Sequence, residues 1–480
     1  MKYDVLVLGA GAVGAMIARN LSRYELKVAV LEKENDVGNV TSMANSAIVH
    51  SGYDPVPGTN KAKFNVLGNK MFDEIADDLD VHFSRCGSLT VALYDEQLKI
   101  LDDLAKRSKE NGVEVKILSK EELLAMEPNI NPEAKGALFA PTAGIIDPFN
   151  LVVHAMENAV DNGVELYLNE EVVDIKKDNQ DIKVITRSGK EYIAKIVINA
   201  TGLASEKITN LVEETDWHIT PRKGEYFVLD HYKRGLVNHT IFPLPSEKGK
   251  GILVTMTTSN NYLCGPSSES INELDDFSCD GPTLANVRAS ALEMVPSIPF
   301  NQAIRCFAGL RATCTRHDFV IEFAKTLPNF IILGGIESPG LVSSPAIGKY
   351  VVEEMVGKLV ELKEKSNYNP RVKRYIRPKE LSLEERNELI KNNPTYAHIL
   401  CSCEQVSEGE MLDALSRSVP PRSVKAMKKR VRAGFGKCQG GFCQPHVVNL
   451  LAKHYHLSPL DIPYDSINSK IIIARLKEGK

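Results

Sequence analysis

The stretch YDVLVLGAGAVGAMIARNLSRY, residues 3–24, decides the fold of this 480-residue chain. It opens with a short apolar, β-branched run that ends at Gly9, and apolar residues then recur at helical spacing. A second apolar run, KVAVLE at residues 27–32, ends in Glu32. Strand, glycine turn, helix, strand and acid in this order predict a doubly wound α/β domain that binds a dinucleotide.

Three glycines, Gly9, Gly11 and Gly14, form the pattern G-x-G-x-x-G in this stretch. They permit a tight turn, let backbone N–H groups approach a pyrophosphate at a helix N-terminus, and let helix and strand pack closely. Glu32 can accept a hydrogen bond from the adenosine ribose. A purely structural glycine turn is the alternative, but the order of elements around the pattern favours a dinucleotide site.

Length and composition suggest a multidomain globular protein. At roughly 150 residues per domain, 480 residues suggest about three domains, and 43% hydrophobic residues can build large cores. The chain has no run of 18 apolar residues and no secretory signal at its start, so we expect a cytoplasmic protein without a transmembrane segment. A peripheral position at a membrane, through partner subunits, is a further expectation. The net charge of −4 gives no indication of nucleic-acid binding.

Two distant segments favour FAD over NAD. KIVINATGLAS, residues 195–205, is an apolar strand that breaks at Thr201 and Gly202. The segment at residues 329–356 is a strand, a glycine-rich loop and a helix, which would place a helix N-terminus beside a ring that becomes anionic on reduction. No second G-x-G-x-x-G is present, which argues against a separate NAD site. An ordinary βα crossover is the alternative for either segment alone.

Further segments along residues 1–360 carry a family resemblance. They are TSMANSAIVHSGYDPVPGTNKAKFNVLGNKMF (41–72), GIIDP (144–148), RKGEYFVLD (222–230), KGKGILV (248–254), CFAGLRA (306–312) and ILGGIESPGLVSSPAIG (332–348). Together they resemble the FAD-dependent glycerol-3-phosphate dehydrogenase/oxidase and L-2-hydroxyglutarate oxidase branch of the D-amino-acid-oxidase superfamily. Within that branch the chain is most similar to the soluble glycerol-3-phosphate oxidases of small bacteria.

The resemblance implies an α/β fold with a doubly wound, Rossmann-like FAD-binding domain and an inserted α+β substrate domain. RCGSLTVAL, GEYFVLD and GILVTM read as strands of the insertion. A charge-rich connecting arm and a small helical domain would follow. The predicted boundaries are 1–82, 149–212 and 306–360 for the FAD-binding domain, 83–148 and 213–305 for the substrate domain, 361–395 for the linker and 396–480 for the C-terminal domain and tail.

Four of the nine cysteines form two tight pairs near the C-terminus. Cys401 and Cys403 are followed by 34 residues and then by Cys438 and Cys443. Paired cysteines in a reducing compartment indicate metal binding or redox chemistry, and four thiolates suit either a [2Fe–2S] cluster or tetrahedral zinc. Ser407, with an acid three residues later, is a predicted helix N-cap between the pairs.

The second pair lies in GFGKCQGGFC, whose four glycines let backbone N–H groups approach sulfur. This arrangement resembles the bacterioferritin-associated-ferredoxin type of [2Fe–2S] domain, which also ends the catalytic subunit of anaerobic glycerol-3-phosphate dehydrogenases. The basic helix KAMKKRVRAG, residues 425–434, would then lie beside an anionic cluster. We prefer iron–sulfur to zinc because a flavin that passes on electrons singly needs a one-electron carrier.

Oxidation of a secondary alcohol by flavin needs a base for the hydroxyl proton. His50 is the candidate, both because imidazole titrates near neutrality and because of its position in the family motif. A structural histidine and a covalent flavin attachment point are the alternatives. The resemblance places Arg311, Lys250 and Ser338 at the substrate, where a guanidinium suits phosphate or carboxylate. Lys250 could also be a solvated loop lysine.

The resemblance also implies a set of FAD contacts spread over the motifs. Besides the three glycines and Glu32, the set contains Lys33, Ser42, Met43, Ala44, Asn45, Ser46, Val172, Ala200, Thr201, Gly202, Gly335, Gly340 and Leu341.

The predicted activity is oxidation of sn-glycerol 3-phosphate to dihydroxyacetone phosphate. Asp54 follows the His50 loop where larger membrane-bound relatives carry arginine, which keeps L-2-hydroxyglutarate and other hydroxy or amino acids as alternative substrates. A third possibility is an electron-transfer flavoprotein subunit with a vestigial pocket. The cluster domain favours transfer to an electron-accepting subunit or a quinone-linked chain over direct reaction with oxygen.

Overall fold

The computed structural model describes residues 1–231, 235–245 and 251–474. The α-helices in these residues are α1 (Ala12–Leu21), α2 (Asn60–Asp78), α3 (Leu98–Glu110), α4 (Lys120–Met126), α5 (Pro148–Asp161), α6 (Ser205–Thr209), α7 (Gly281–Met294), α8 (Gly340–Tyr350), α9 (Leu383–Asn392), α10 (Glu408–Leu415), α11 (Val424–Val431) and α12 (Gln444–Tyr455).

The strands fall into two large sheets and two small ones. In chain order they are β1 (Lys2–Leu8), β2 (Val28–Glu32), β3 (Ile48–Val49), β4 (Phe83–Ser84), β5 (Ser88–Ala92), β6 (Lys116–Ser119), β7 (Gly136–Ala140), β8 (Gly144–Ile146), β9 (Glu165–Leu168), β10 (Val172–Asp178), β11 (Asp181–Thr186), β12 (Glu191–Asn199), β13 (Ile219–Leu229), β14 (Thr240–Pro243), β15 (Leu253–Met256), β16 (Tyr262–Gly265), β17 (Glu269–Ser270), β18 (Ala303–Cys314), β19 (Val320–Phe323), β20 (Phe330–Gly334), β21 (Ile399–Cys401) and β22 (Val406–Ser407).

The first large sheet is the doubly wound layer that the N-terminal stretch predicts. β1 lies between β2 and β12 and pairs with both in parallel, and β9 and β20 extend the parallel part. Side chains alternate along β1: Val5 and Val7 face the core formed with α1, α2, α5 and α8, whereas Leu6 and Leu8 face a second core closed by Trp217. These helices pack on one face of the sheet, and the carboxyl ends of its strands remain open. Sheets of α/β proteins bind ligands at these ends.

The second large sheet is mainly antiparallel, in the order β17-β13-β16-β15-β14-β5-β7-β6, with β18 paired along β13. The three segments predicted as insertion strands form β5, β13 and β15 of this sheet. Its core includes residues of α7, such as Val287 and Ala291. β18 begins at Ala303, so the sheet extends past residue 305, the predicted end of the insertion.

The segment at residues 361–395 runs along the first domain before reaching the C-terminal domain. Tyr375 stacks on His154 of α5 with ring centroids 4.5 Å apart, and Arg377 forms an ion pair of 3.0 Å with Asp80. α9 ends the segment. The predicted arm is therefore held by specific contacts against residues 1–360, which we call the flavin body.

The C-terminal domain is small and helical, with β21 and β22 as its hairpin. Met411, Met427 and Leu451, from α10, α11 and α12, are buried in one core. Ser407 caps α10: its side chain accepts from the N–H of Glu410, and the Glu410 carboxylate accepts from the N–H of Ser407. The predicted N-cap and the predicted α/β fold with a small helical C-terminal domain are both confirmed.

Candidate active site

The turn between β1 and α1 is built around glycine. Gly9 has φ +98°, a conformation that side-chain-bearing residues avoid. A Cβ on Gly14 would lie 2.0 Å from the carbonyl oxygen of Gly9, so only glycine lets α1 pack this closely on the turn. Gly11 is the N-cap of α1, and the N–H of Ala12 donates to Ser42 Oγ over 2.9 Å. The helix N-terminus thus faces the loop that begins at residue 41.

Glu32 ends β2 with both carboxylate oxygens engaged. Oε2 accepts from the N–H of Ala10 over 2.7 Å, and Oε1 accepts from the N–H of Glu34 over 2.9 Å. Burial raises the pKa of Glu32, while the two N–H donors act against that shift. Each carboxylate oxygen retains capacity for another donor, which is compatible with the predicted bond from a ribose hydroxyl.

A cavity of about 820 Å³ lies between the first sheet and the second. This is the size of a ligand pocket. Predicted FAD residues from every flavin segment line it: Gly11, Ser42, Ala44, Asn45, Ser46, Ala200, Gly202, Gly340 and Leu341. The other predicted FAD residues are not among those that line it: Gly9, Gly14, Glu32, Lys33, Met43, Val172, Thr201 and Gly335. Lys33 is exposed, and Met43 lines a second cavity.

His50 lines the same cavity, in the loop after β3. Two asparagines of α2 hold its backbone: Nδ2 of Asn65 and Nδ2 of Asn69 donate to the His50 carbonyl oxygen over 2.7 and 3.0 Å. The imidazole lies beside Phe242 of β14, with ring centroids 5.8 Å apart. A backbone held in this way lets the ring face a substrate without the loop moving.

Arg311, the predicted anion-binding residue, lines the cavity from β18. It lies directly opposite Arg222 of β13 in the strand register, and Arg222 lines the cavity too. Nη2 of Arg311 donates to the carbonyl oxygen of Ser267 over 2.8 Å. Burial lowers the pKa of Arg311, and Arg222 adds to that effect. Like charges paired across strands repel, so this pair is suited to an anion that both guanidinium groups can bind.

Arg222 was not predicted from the sequence. It begins the motif RKGEYFVLD, but nothing local to that motif distinguishes it from any other strand residue. Its role depends on its register against Arg311, which lies 89 residues later.

The loop before α8 brings Ser338 to the cavity wall. Its neighbour Glu337 accepts from Lys61 Nζ over 2.9 Å and from Thr313 Oγ1 over 2.7 Å. Burial acts to raise the pKa of Glu337, but the charge of Lys61 outweighs it and the net shift is downward. The loop is thereby anchored to α2 and β18. Lys250, the other predicted substrate residue, lies outside the described residues.

The four clustered cysteines come together as two pairs. Cys401 hydrogen-bonds to Cys443, which lowers the pKa of Cys401 to about 6, and Cys403 pairs with Cys438. Cys401 and Cys443 are buried, Cys438 is half-buried and Cys403 is exposed. A low thiol pKa favours the thiolate that a metal requires.

Two pairs fit a binuclear cluster better than a single ion. A tetrahedral zinc with Zn–S bonds of about 2.3 Å holds all four sulfurs within about 4 Å of one another. In the described part of the chain, the one group of three or more His, Cys, Asp or Glu ligand atoms within 4.8 Å of one another is Glu225, Glu269 and Asp280. The cysteines form no such group, whereas two pairs can each serve one iron of a [2Fe–2S] cluster.

Family models match both parts of the chain. Residues 4–354 match the family described as FAD dependent oxidoreductase. The chain belongs to the FAD-dependent oxidoreductase family. Residues 399–453 match the BFD-like [2Fe-2S] binding domain. This oxidoreductase therefore uses FAD and carries a [2Fe–2S]-binding domain, as the sequence predicted.

Several relatives of the oxidoreductase have described activities. A glycerol 3-phosphate dehydrogenase of Caloramator mitchellensis is 45% identical over 99% of both chains. A glycerol 3-phosphate oxidase of Mycoplasma genitalium is 36% identical and covers 76% of this chain and 97% of its own. The FAD-bound, dithionite-reduced L-α-glycerophosphate oxidase of Mycoplasma pneumoniae has a TM-score of 0.74 at 31% identity, over 78% of this chain and 98% of its own.

No helix within the described residues has the length and apolar character needed to cross a membrane.

Proposed function

We propose that this oxidoreductase is a dehydrogenase that oxidises sn-glycerol 3-phosphate to dihydroxyacetone phosphate. The observation that carries the proposal is the pairing of Arg222 with Arg311 in the same cavity wall as His50 and the flavin motifs. Two guanidinium groups side by side suit a phosphate dianion, which has three oxygens to accept their donors. The relative that matches over the full chain carries the same activity in its name.

Four residues of the cavity take specific tasks in this reaction. Arg222 and Arg311 bind the phosphate group, and Ser338 offers a hydroxyl or backbone contact at the loop before α8. His50 accepts the proton of the C2 hydroxyl while C2 gives up its hydrogen as hydride and the carbonyl forms. FAD, when bound, supplies the hydride acceptor. Lys61 and Thr313 both donate to the Glu337 carboxylate and its pKa is lowered, which makes Glu337 a weaker proton acceptor than an ordinary carboxylate.

The C-terminal domain supports a dehydrogenase rather than an oxidase. The match to the Mycoplasma genitalium oxidase covers 97% of that oxidase but only 76% of this chain. The match to the Caloramator mitchellensis dehydrogenase covers 99% of both chains. The paired cysteines lie beyond residues 4–354, the part that matches the FAD dependent oxidoreductase family. We infer that electrons leave reduced flavin singly through the [2Fe–2S] cluster to a separate electron-accepting subunit or a quinone-linked chain.

Anaerobic titration of the purified protein tests the substrate. We expect sn-glycerol 3-phosphate to bleach the flavin absorbance, because the hydride from C2 carries both electrons to the flavin. Bleaching by L-2-hydroxyglutarate in its place would assign the cavity to a hydroxy acid. Full FAD occupancy with no bleaching by either compound would indicate an electron-transfer subunit with a vestigial pocket.

A further inference from the structure

A second cavity, of about 590 Å³, lies between the flavin body and the C-terminal domain. Ala44, Asn45 and Ala47 belong to its wall and to the wall of the first cavity, so one chain segment borders both. β18 contributes the flavin-body side and α11 the other side. None of the four clustered cysteines lines this cavity, whereas Met43, Ala44 and Asn45 of the predicted FAD set do.

We call this space between β18 and α11 the interdomain cavity. Five cationic side chains line it. Three of them are already neutralised by carboxylates. These ion pairs are Lys425 with Asp465, Lys429 with Asp36 and Arg432 with Glu404.

Lys428, the fourth cation, is buried with only 7% of its surface exposed. Its ammonium lies 4.4 Å from the ring centroid of Phe435, and the described residues provide it with no hydrogen bond and no ion pair. Burial lowers its pKa to about 7, and repulsion from Arg305 and Arg432 adds to that, against an opposing effect of Cys443. The described side chains accept no hydrogen bond from this ammonium, so its donors remain available to a ligand in the cavity.

Arg305, the fifth cation, reaches the cavity from β18. Its Nη1 donates to Gln439 Oε1 over 3.2 Å, and it has no carboxylate partner among the residues described. Lys428 and Arg305 therefore face one cavity from two domains. The remaining wall is largely aromatic, with Phe149, Phe307 and Phe435 among its residues. Aromatic walls with a few converging charged groups are typical of sites for small organic ligands.

We propose that the interdomain cavity is a second ligand site, which binds a small phosphorylated organic molecule between the flavin body and the [2Fe–2S] domain. Lys428 and Arg305 bind the phosphate, and the aromatic wall contacts the organic part. The cavity is larger than inorganic phosphate requires, so an organic group of the ligand fills the rest. A ligand in this position contacts both domains and so stabilises their docking.

Binding of phenyl phosphate to the intact, cofactor-loaded protein, measured by isothermal titration calorimetry, tests this site. Phosphate compounds can also bind at Arg222 and Arg311 in the first cavity, so the measurement uses the Arg222→Met/Arg311→Met double variant, in which the interdomain cavity is the remaining site. We expect one phenyl phosphate per chain, bound more tightly than inorganic phosphate. Lys428→Met in that variant should weaken binding roughly 10- to 100-fold, since hydrogen bonds to charged groups contribute strongly.

Control variants separate the site from general effects. Lys453→Met removes an exposed lysine of the same domain outside the cavity and should leave binding unchanged. Arg305→Met removes the proposed phosphate contact on β18. Because β18 lies outside the cluster domain, this change should not alter cluster loading. It should also weaken binding at least about tenfold. Loss of all binding in the Arg222→Met/Arg311→Met double variant would overturn the proposal. Equal binding with and without Lys428 and Arg305 would overturn it too.

Discussion

At the scale of single residues, the candidate base is positioned through its backbone. Asn65 and Asn69 of α2 both donate to the His50 carbonyl oxygen, and Phe242 lies beside the ring. Packing of α2 against α8, the helix that begins at Gly340, ties this loop to the flavin side of the cavity. The position of His50 therefore depends on α2 as well as on its own motif.

Replacement of His50 by Asn tests the base directly. We expect the rate of flavin reduction by sn-glycerol 3-phosphate to fall by about 10²- to 10⁴-fold, because general base catalysis is lost, with FAD still bound. Anaerobic stopped-flow absorbance measures the rate. His218→Asn, at an exposed histidine outside the cavity, is the control. An unchanged rate in His50→Asn would assign His50 a structural role.

Replacement of Arg222 by Met tests the guanidinium pair. We expect KM for sn-glycerol 3-phosphate to rise roughly 10- to 100-fold, because the phosphate loses a hydrogen bond to a charged group. FAD content should be unchanged. Steady-state kinetics with a dye acceptor give KM and kcat separately. Arg288→Met, on the exposed side of α7, is the matched control. An unaltered KM would mean that the phosphate lies away from Arg222.

At the scale of elements, the cysteine pairs are set on a hairpin and on the loop before α12. Cys401 ends β21, and Cys443 is the N-cap of α12. The buried pair, Cys401 with Cys443, anchors the site in the core, whereas Cys403 and Cys438 lie toward solvent. If these four thiolates hold a cluster, the side formed by Cys403 and Cys438 would be the one nearer solvent.

Replacement of Cys438 by Ser separates the two redox centres. Anaerobically prepared wild-type protein should contain about two irons per chain and give a paramagnetic signal on reduction, because four thiolates ligate a one-electron cluster. Cys438→Ser should lose that iron, keep flavin reduction by substrate and slow transfer to one-electron acceptors. Cys86→Ser, at a cysteine outside the cluster, should keep both. Zinc in place of iron in the wild-type protein would refute the electron route.

At the scale of the whole molecule, one buried ion network joins the flavin body to α11. Asp36 accepts from Arg430 over 2.9 and 3.0 Å and pairs with Lys429 over 2.7 Å. Burial acts to raise the pKa of Asp36, but Arg430 and Lys429 outweigh it and lower the pKa below its usual range. This carboxylate therefore holds the two domains in one arrangement.

Replacement of Asp36 by Asn should destabilise the folded protein by about 3–5 kcal/mol at neutral pH, because two buried cations lose their partner. A carboxylate with a lowered folded pKa stabilises above its unfolded pKa, near 4, and this stability is lost as pH falls toward the folded value. Thermal unfolding midpoints should consequently decline more steeply below about pH 4 in the wild type than in Asp36→Asn.

The exposed pair of Asp103 and Lys106 on α3 supplies the control for this measurement. Asp103→Asn should change the midpoint little, since solvent screens an exposed pair. Equal midpoints for Asp36→Asn and the wild type across the pH range would show that the network contributes nothing to docking.

The sequence by itself determined the features whose signal is local. Strand, glycine turn, helix and acid follow one another within the first 32 residues. The two cysteines of the first pair have one residue between them, and those of the second pair have four. These patterns identified an α/β domain that binds a dinucleotide, a site of four thiolates and Ser407 as a helix cap. The choice of FAD and of [2Fe–2S] also depended on more distant segments and on the family resemblance. The individual FAD, substrate and cluster residues stay predictions beyond their observed positions.

Only the tertiary structure decided the features that depend on distant contacts. Arg222 meets Arg311 through the register of β13 against β18, and Asp36 meets Arg430 across 394 residues. Lys428 reads in the sequence as one residue of a basic helix, and its burial is set by the docking of α11 on the flavin body. Local patterning reports backbone conformation and which face is apolar, whereas strand register and domain packing bring together charges that no local pattern relates.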